Sequence, residues 1–200
     1  MLAQRYINTV EKNLNIILNQ LDTIKKAAAM ITKAVTGGNK IFVVDKYGII
    51  ESELVDRASG LALFRSLSYG RETLSEGDIL LISSFHQDDE YDMNNLNMAH
   101  SLGASVISIS PPGKLADTAD IALSNNTDAQ NGVITVSGIG RPFCPLSGVM
   151  NATLAWVLSA EITELLMAEG KIPTVYWGEY LADGKDKLIQ ARKRFSSLGY

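Results

Sequence analysis

The sequence contains one cysteine, Cys144, among its 200 residues. A single cysteine excludes an intrachain disulfide and any zinc site built from several thiolates. No run of about 20 uninterrupted apolar residues is present, as a membrane-spanning helix would require. The most apolar stretch, 148–169, contains Glu161 and Glu164. We therefore expect a protein that does not contact a membrane.

The chain also lacks an excess of basic residues. It has 18 Lys and Arg against 22 Asp and Glu, a formal charge of -4 at pH 7, whereas non-specific binding to nucleic acid needs a basic face. Near the N-terminus, Arg5, Glu11 and Lys12 occupy positions where a secretory signal peptide has its apolar segment. With 46% hydrophobic and 20% charged residues, the composition is typical of a globular protein. We expect a single cytoplasmic domain over 1–200 that does not bind nucleic acid.

The spacing of the apolar residues predicts alternating helices and strands. From Leu2 to Val35 they recur every three or four positions, which predicts one long helix over 1–36, ended by Gly37 and Gly38. Apolar runs predict strands at 40–44, 77–83, 105–110 and 119–124, and a further short one at 132–138. Further helices are predicted up to Gly60, over 90–102, over 148–169 with Ser147 as N-cap, and over 184–196. Since the strands are apolar throughout, both faces of the sheet should be buried, as in a parallel sheet between two layers of helices.

Polar loops follow the first two strands, where an α/β protein commonly binds its ligand. The first loop contains Asp45, Lys46, Tyr47 and Gly48, and the second contains Ser83, Ser84, Phe85, His86 and Gln87. The acidic run 88–90 comes next, at the predicted start of a helix. Its side chains suit helix caps and the positive end of the helix dipole.

The same acidic region contains residue types that bind metals. His86, Asp88, Glu90 and Asp92 are all competent ligands, but a metal site needs ligands that converge in space, and neighbours in sequence do not ensure this. We favour the capping interpretation and expect neither a metal nor a cofactor. The sequence leaves open whether 88–90 binds a metal.

The order of these segments resembles the sugar isomerase (SIS) domain, in particular proteins similar to phosphoheptose isomerase. The resemblance lies in "GNKIFVV", "ESELVDRASGLAL", "EGDILLISS", "AHSLGASVISIS", "LADTADIAL" and the ending "IPTVYWGEYLADGKDKLIQARKRF". It covers nearly the whole chain. It implies a three-layer, flavodoxin-like α/β fold with a five-stranded parallel sheet and a long N-terminal helix that forms a homodimer or tetramer.

The resemblance also implies a phosphosugar ligand, but the loops depart from the family pattern. The family has Gly-x-Gly-x-Ser in the first loop and Ser-x-Ser-Gly-x-Thr in the second. Here the first loop is 45–48, with Asp, Lys and Tyr, and the second has Phe85 and His86 where Ser and Gly are expected. We expect ligand contacts from both loops and from Ser147, with Lys46 replacing lost hydroxyl donors and the acids 88–90 opposing a phosphate.

The resemblance places the catalytic acid–base group at Glu53. Related heptose isomerases pair this glutamate with a histidine on the long helix in the C-terminal half, but 147–170 contains no histidine. His86 is the substitute from the second loop, whereas His100 lies within a predicted helix. Alternatively, Glu53 forms an ion pair with Arg57 four residues later and has no catalytic role.

Three hypotheses follow. The first is an SIS protein that binds a phosphorylated or otherwise anionic sugar derivative, with degenerate phosphate loops and weak or no catalysis. The second is an active aldose–ketose isomerase that uses Glu53 and His86. The third is a regulatory or scaffold subunit that binds no ligand.

Overall fold

Five parallel strands form the central sheet in the computed structural model, which describes residues 1–68, 72–127 and 132–200. The strands are β1 (Ile41–Val44), β2 (Phe64–Ser66), β3 (Ile79–Ser83), β4 (Ser105–Ser110) and β5 (Ile121–Ser124), in the spatial order β2-β1-β3-β4-β5. The helices are α1 (Leu2–Leu18), α2 (Leu21–Thr36), α3 (Ile49–Val55), α4 (Glu90–Ser101), α5 (Lys114–Thr118), α6 (Ser147–Ala168) and α7 (Gly184–Leu198). The predicted α/β class and five-stranded parallel sheet are confirmed.

Helices cover both faces of the sheet because successive side chains of each strand point to opposite faces. Ile41 and Val43 of β1 pack into the core that also contains residues of α2, α3 and α6. Phe42 and Val44 pack into a second core, with Leu96 of α4 and residues of β3 and β4. All four of these β1 side chains are buried, which explains the uninterrupted apolar run of the strand.

Helix α6 has the length and composition of a membrane-spanning helix. Its apolar side chains Met150, Leu154, Leu158, Ile162 and Leu166 are fully buried against the sheet and neighbouring helices. Burial in the protein core therefore accounts for its apolar sequence.

The N-terminal segment is helical, but the prediction of one continuous helix over 1–36 was wrong. α1 ends at Leu18 and α2 begins at Leu21. Between them, the side-chain amide of Gln20 donates to the carbonyl of Ser124 and accepts from its backbone N–H, both at 2.8 Å. The chain turns here because Gln20 bonds to the sheet, and the apolar periodicity, which continues across the turn, did not reveal this.

Other elements also differ from the predictions. The helix predicted up to Gly60 ends at Val55, and α5 was not predicted. β2 was not predicted, because it is only three residues long and includes the polar Arg65. The strand predicted at 132–138 is shorter, Gly132–Ile134 (β6), and pairs antiparallel with Phe143–Pro145 (β7) outside the main sheet. Ser147 is the first residue of α6, whose N-cap is Leu146.

Candidate functional site

The loops after β1 and β3 lie at the point where the strand order reverses. β1 and β3 are neighbours in the sheet, while β2 lies beyond β1 and β4 beyond β3. In open parallel sheets, ligands bind outside the carboxyl ends of the strands at such a switch point. Loops 45–48 and 84–89 leave the sheet at this place, and residues 45–48 and 83–87 are those predicted to contact a ligand.

Asp45 occupies the N-terminal end of α3. Its carboxylate accepts the backbone N–H groups of Tyr47 (2.8 Å), Ile49 (3.2 Å), Ile50 (2.7 Å) and Glu51 (2.9 Å). Asp45 itself is buried, with 2% of its surface exposed. Gly48, in the left-handed conformation with φ 68°, forms the turn between Asp45 and the helix. The carboxylate of the chain therefore fills the position at which a bound anion would meet α3.

Carboxylates also occupy the start of the next two helices. Asp89, the N-cap of α4, accepts the N–H of Tyr91 at 2.9 Å, and Asp88 accepts the N–H of Lys114, at the start of α5, at 2.9 Å. The predicted capping of α4 is confirmed for Asp89, whereas Asp88 caps α5, a helix that the sequence did not link to it.

Lys46 forms a salt bridge with Asp89 at 2.7 Å. Burial alone would raise the pKa of Asp89, but the hydrogen bonds from Lys46 and from the Tyr91 N–H outweigh it and lower the pKa. The hydrogen bond to Asp89 is the largest influence on Lys46 and raises its pKa. Lys46 is therefore already neutralised by a carboxylate of the second loop.

Aromatic side chains bring the two loops together. The Tyr47 ring lies 5.7 Å from the Phe85 ring and 6.4 Å from the His86 ring, centroid to centroid. The Tyr47 hydroxyl is 3.4 Å from Nε2 of His86. Gln87 packs against the backbone of Gly113, which follows β4. These contacts fill much of the gap at the switch point with side chains of the chain itself.

Beneath the second loop, buried polar groups link the sheet to α6. Asn151 donates to the hydroxyl of Ser83 and to the carbonyl of Ser84, both at 2.9 Å, and accepts from Asn125 at 2.7 Å. Asn125 and Asn151 are fully buried. The Ser84 hydroxyl donates to the carbonyl of His86 at 2.9 Å. Ser83 therefore has a structural partner, and the network holds the first turns of α6 at the carboxyl edge of the sheet.

The N-terminal end of α6 differs from those of α3, α4 and α5. In the parts of the chain that the structure describes, no side chain caps α6, and its first turn contains no acid. Ser147 is buried there, whereas Gly148 is partly exposed and Val149 is 43% exposed. A Cβ added at Gly148 would have the Phe85 ring as its nearest neighbour, at 4.0 Å. This helix end is open, carries the positive end of the helix dipole, and adjoins the second loop.

Asp92 is a buried acid at the same edge, and the sequence analysis considered it only as a metal ligand. It lies in the first turn of α4 with 2% of its surface exposed, and its Oδ1 has no hydrogen-bond partner among the described residues. Burial raises the pKa of Asp92 to about 6, against the opposing influence of the Ser84 hydroxyl. At neutral pH it adds a poorly compensated negative charge to the site.

Glu53 lies on α3 and forms an ion pair with Arg57 at 2.9 Å, as the structural alternative predicted. Among the described residues, no hydrogen bond joins Glu53 to His86. The inward-facing carboxylate of α3 is Glu51, which is 2% exposed and accepts from the hydroxyls of Ser66 and Ser68. Glu51 was not among the residues predicted to form the site. Glu51 precedes Glu53 by two residues, so the two side chains lie on opposite sides of a helix. This spacing indicates that Glu51 faces inward if Glu53 faces outward.

Four cavities lined by described residues lie away from the switch-point loops. Two of about 460 and 520 Å³ flank Trp177 near α7, and an apolar one of about 300 Å³ includes Tyr6 of α1 and Phe143. The fourth, of about 400 Å³, lies between α1 and the residues that follow β5, at the carboxyl edge of the sheet. Across the described residues, no group of three or more His, Cys, Asp or Glu side chains could hold a metal ion.

Comparison with known proteins agrees with this architecture. No family model matches the sequence. It is 22% identical to a UPF0309 protein of Geobacillus sp. (strain WCH70), over 96% of this chain and 96% of that protein. A phosphoheptose isomerase from Francisella tularensis superposes with a TM-score of 0.60 at 14% identity, covering 81% of this chain and 96% of that one. The sugar isomerase domain of the RpiR transcription factor from Sphaerobacter thermophilus gives a TM-score of 0.58 at 16% identity, covering 98% and 99%.

These likenesses define the class of fold. The chain has the fold of the sugar isomerase domain, so the resemblance seen in the sequence is confirmed at the level of structure.

Proposed function

We propose that the chain binds a phosphorylated or otherwise anionic sugar derivative at the carboxyl edge of its sheet. The fold is shared with phosphoheptose isomerases, and open parallel sheets bind their ligands at this edge. Tyr47 and His86 offer polar groups for the hydroxyls of the sugar.

The open N-terminus of α6 is the observation that carries the proposal. Internal carboxylates fill the ends of α3, α4 and α5, whereas the first turn of α6 has neither a cap nor an acid among the described residues. Free N–H groups and the helix dipole favour an anion at such an end. The glycine at position 148 leaves room for the anion to approach the backbone. The anionic group of the ligand therefore binds here instead of at loops 45–48 and 83–87.

Substitution of Gly148 tests this location, because binding and stability should change in opposite directions. Gly148→Glu adds an acid to the first turn, which should leave the fold intact and stabilise the helix by about 0.3–1 kcal/mol. The same charge should abolish the thermal shift produced by pentose, hexose and heptose phosphates. Gly148→Ala, which adds only a methyl group with room to fit, is the matched control and should retain at least part of the shift.

Two outcomes would contradict the proposal. If Gly148→Glu binds sugar phosphates as tightly as the wild type, the anion does not bind at α6. If the wild type shows no shift with any member of the panel, the scaffold hypothesis is favoured instead.

We further propose that isomerase activity on these sugar phosphates is weak or absent. Isomerisation needs an acid–base group within hydrogen-bond reach of each carbon that exchanges a proton. Glu53 is paired with Arg57, His86 is close to Tyr47, and α6 supplies no histidine. The test is an assay of sugar-phosphate interconversion by the wild type, Glu53→Gln and His86→Ala. Robust turnover that either substitution abolishes would establish the alternative, an active aldose–ketose isomerase.

A homo-oligomer, at least a dimer, is the proposed assembly, and α1 is its proposed interface. Since the N-terminal segment is divided at Gln20, the available helix is α1 alone, about 26 Å long. Ile7 and Leu18 of α1 are 58% and 59% exposed, and an apolar groove runs between α1 and β7. Light scattering should give a mass above 21.7 kDa, and Ile7→Asp should lower it. Met167→Asp, at an exposed position on α6, is the control and should leave the mass unchanged. A wild type that is monomeric at micromolar concentration would contradict the proposal.

A further inference from the structure

The cavity between α1 and β5 has a polar lining and lies at the same edge of the sheet as the proposed site. Its volume is about 400 Å³. Its lining consists of Thr9, Lys12, Asn13 and Ile16 from α1, Asn126 and Thr127 after β5, Val133, and Leu146. Leu146 is also the N-cap of α6, so the cavity adjoins the open helix end described above.

Hydrogen bonds fix the amides around this cavity. Asn126 donates to Oδ1 of Asn13 at 2.8 Å, and Asn13 donates to the carbonyl of Thr9 at 2.9 Å. Asn13 is 94% buried, which is unusual for an amide on a helix surface. The backbone of Asn126 is left-handed, with φ 50°, so the turn that carries this side chain is also defined. The cavity therefore has preorganised polar groups, the usual feature of a small-molecule site.

Of the described residues that line this cavity, Lys12 alone carries a charge. No salt bridge involves it in the described parts of the chain, in contrast to Lys46, which is paired with Asp89. Among the described residues, the lining thus combines one unpaired positive charge with amide and hydroxyl groups and contains no acid. That combination suits an oxyanion on a hydroxylated molecule.

We infer that this cavity is the subsite for the phosphate- or carboxylate-bearing end of the ligand, with Lys12 as its counter-charge. The inference rests on the proposed function and adds the residue that neutralises the anion beside α6. Asn13 and Asn126 line the subsite, where amide atoms that are not already hydrogen-bonded can bind hydroxyl groups of the ligand. Specificity for the charged end of the sugar would then come from α1, outside the loops that the family uses.

Titration calorimetry of four proteins tests the subsite: wild type, Lys12→Gln, Lys12→Arg and Lys25→Gln. Each is titrated with the sugar phosphate that gives the largest shift in the panel, and with the corresponding free sugar. Because Lys12 is exposed, its substitution should not disturb folding. Lys12→Gln should bind the sugar phosphate about tenfold more weakly, the typical effect of losing one charge-assisted hydrogen bond, and should bind the free sugar as the wild type does.

The controls separate charge from position. Lys12→Arg should restore most of the affinity because it keeps the charge, and Lys25→Gln, an exposed lysine of α2 outside the cavity, should bind like the wild type. The subsite is refuted if Lys12→Gln binds the sugar phosphate with an affinity within twofold of the wild type while Gly148→Glu does not bind it. The proposed function is unaffected by that result. If the wild type binds no sugar phosphate, both the subsite and the proposed function fail.

Discussion

Replacing Asp45 should destabilise the chain strongly, because its carboxylate accepts hydrogen bonds from four backbone N–H groups at the start of α3. Two of these donors belong to buried residues, Ile50 and Glu51, which are 0% and 2% exposed. A buried donor left without a partner costs about 1–3 kcal/mol. We expect Asp45→Ala to lower the free energy of unfolding by about 3 kcal/mol, after allowing for water that enters the vacated space. Asp45→Asn keeps one oxygen acceptor and should cost about half as much.

Urea denaturation monitored by circular dichroism measures these changes, provided that the m-value is the same in all variants. Asp186→Ala is the matched control, because Asp186 also lies in the first turn of a helix but is exposed. Its loss should cost at most about 1 kcal/mol, the usual effect of the helix dipole alone. Sulfate should recover part of the stability of Asp45→Ala, since the freed N–H groups form an anion site. A loss below 1 kcal/mol in Asp45→Ala would refute the reasoning.

Three further perturbations test other parts of the site. The pKa of Asp92 is about 6 in the folded chain, against a usual value of 3.8. The folded state therefore binds this proton more tightly than the unfolded state, which stabilises the fold fully below about pH 4. This stabilisation is lost as the pH rises through 6. In the wild type, the free energy of unfolding should therefore fall by up to about 3 kcal/mol between pH 4 and pH 7, and Asp92→Asn should remove this fall. Thermal melts recorded at several pH values measure it. Arg57→Ala should cost no more than about 0.5 kcal/mol in chemical denaturation, because its ion pair with Glu53 is an exposed helical pair; a loss above 2 kcal/mol would show that the pair is structurally important. Asn151→Ala should cost about 2–4 kcal/mol, because the Ser84 carbonyl loses a donor. The loosened loop should also speed hydrogen exchange of the Ser84 N–H, which bonds to the Ile109 carbonyl; unchanged exchange would argue against the network.

The sequence predicted the sheet well because its central strands are buried on both faces. Such strands must be apolar throughout, and 40–44, 77–83 and 105–110 are visible for that reason. β2 lies at the edge of the sheet, is only three residues long and contains Arg65. Since this edge strand is not buried on both faces, its residues need not all be apolar, and no apolar run in the sequence predicted it.

The site was less predictable, because its geometry depends on which groups of the chain satisfy each other. Asp45 and Lys46 were placed in the correct loop, but the structure pairs them with the N–H groups of α3 and with Asp89. The contact between Lys46 and Asp89 joins residues 43 positions apart in the chain, so their positions in the sequence do not reveal it. Likewise, the side of α3 that faces inward, and hence the choice of Glu51 over Glu53, depends on how the helix packs.

The contact between Gln20 and Ser124 also affects how the sheet meets other chains. β5 is the outermost strand on its side, and an outer strand exposes N–H and C=O groups that can pair with a strand from another molecule. The amide of Gln20 makes both hydrogen bonds to Ser124 that a neighbouring backbone would make. One side chain thus takes the place of a sixth strand at the end of β5, and no strand of another molecule can pair with Ser124 while these two hydrogen bonds are in place.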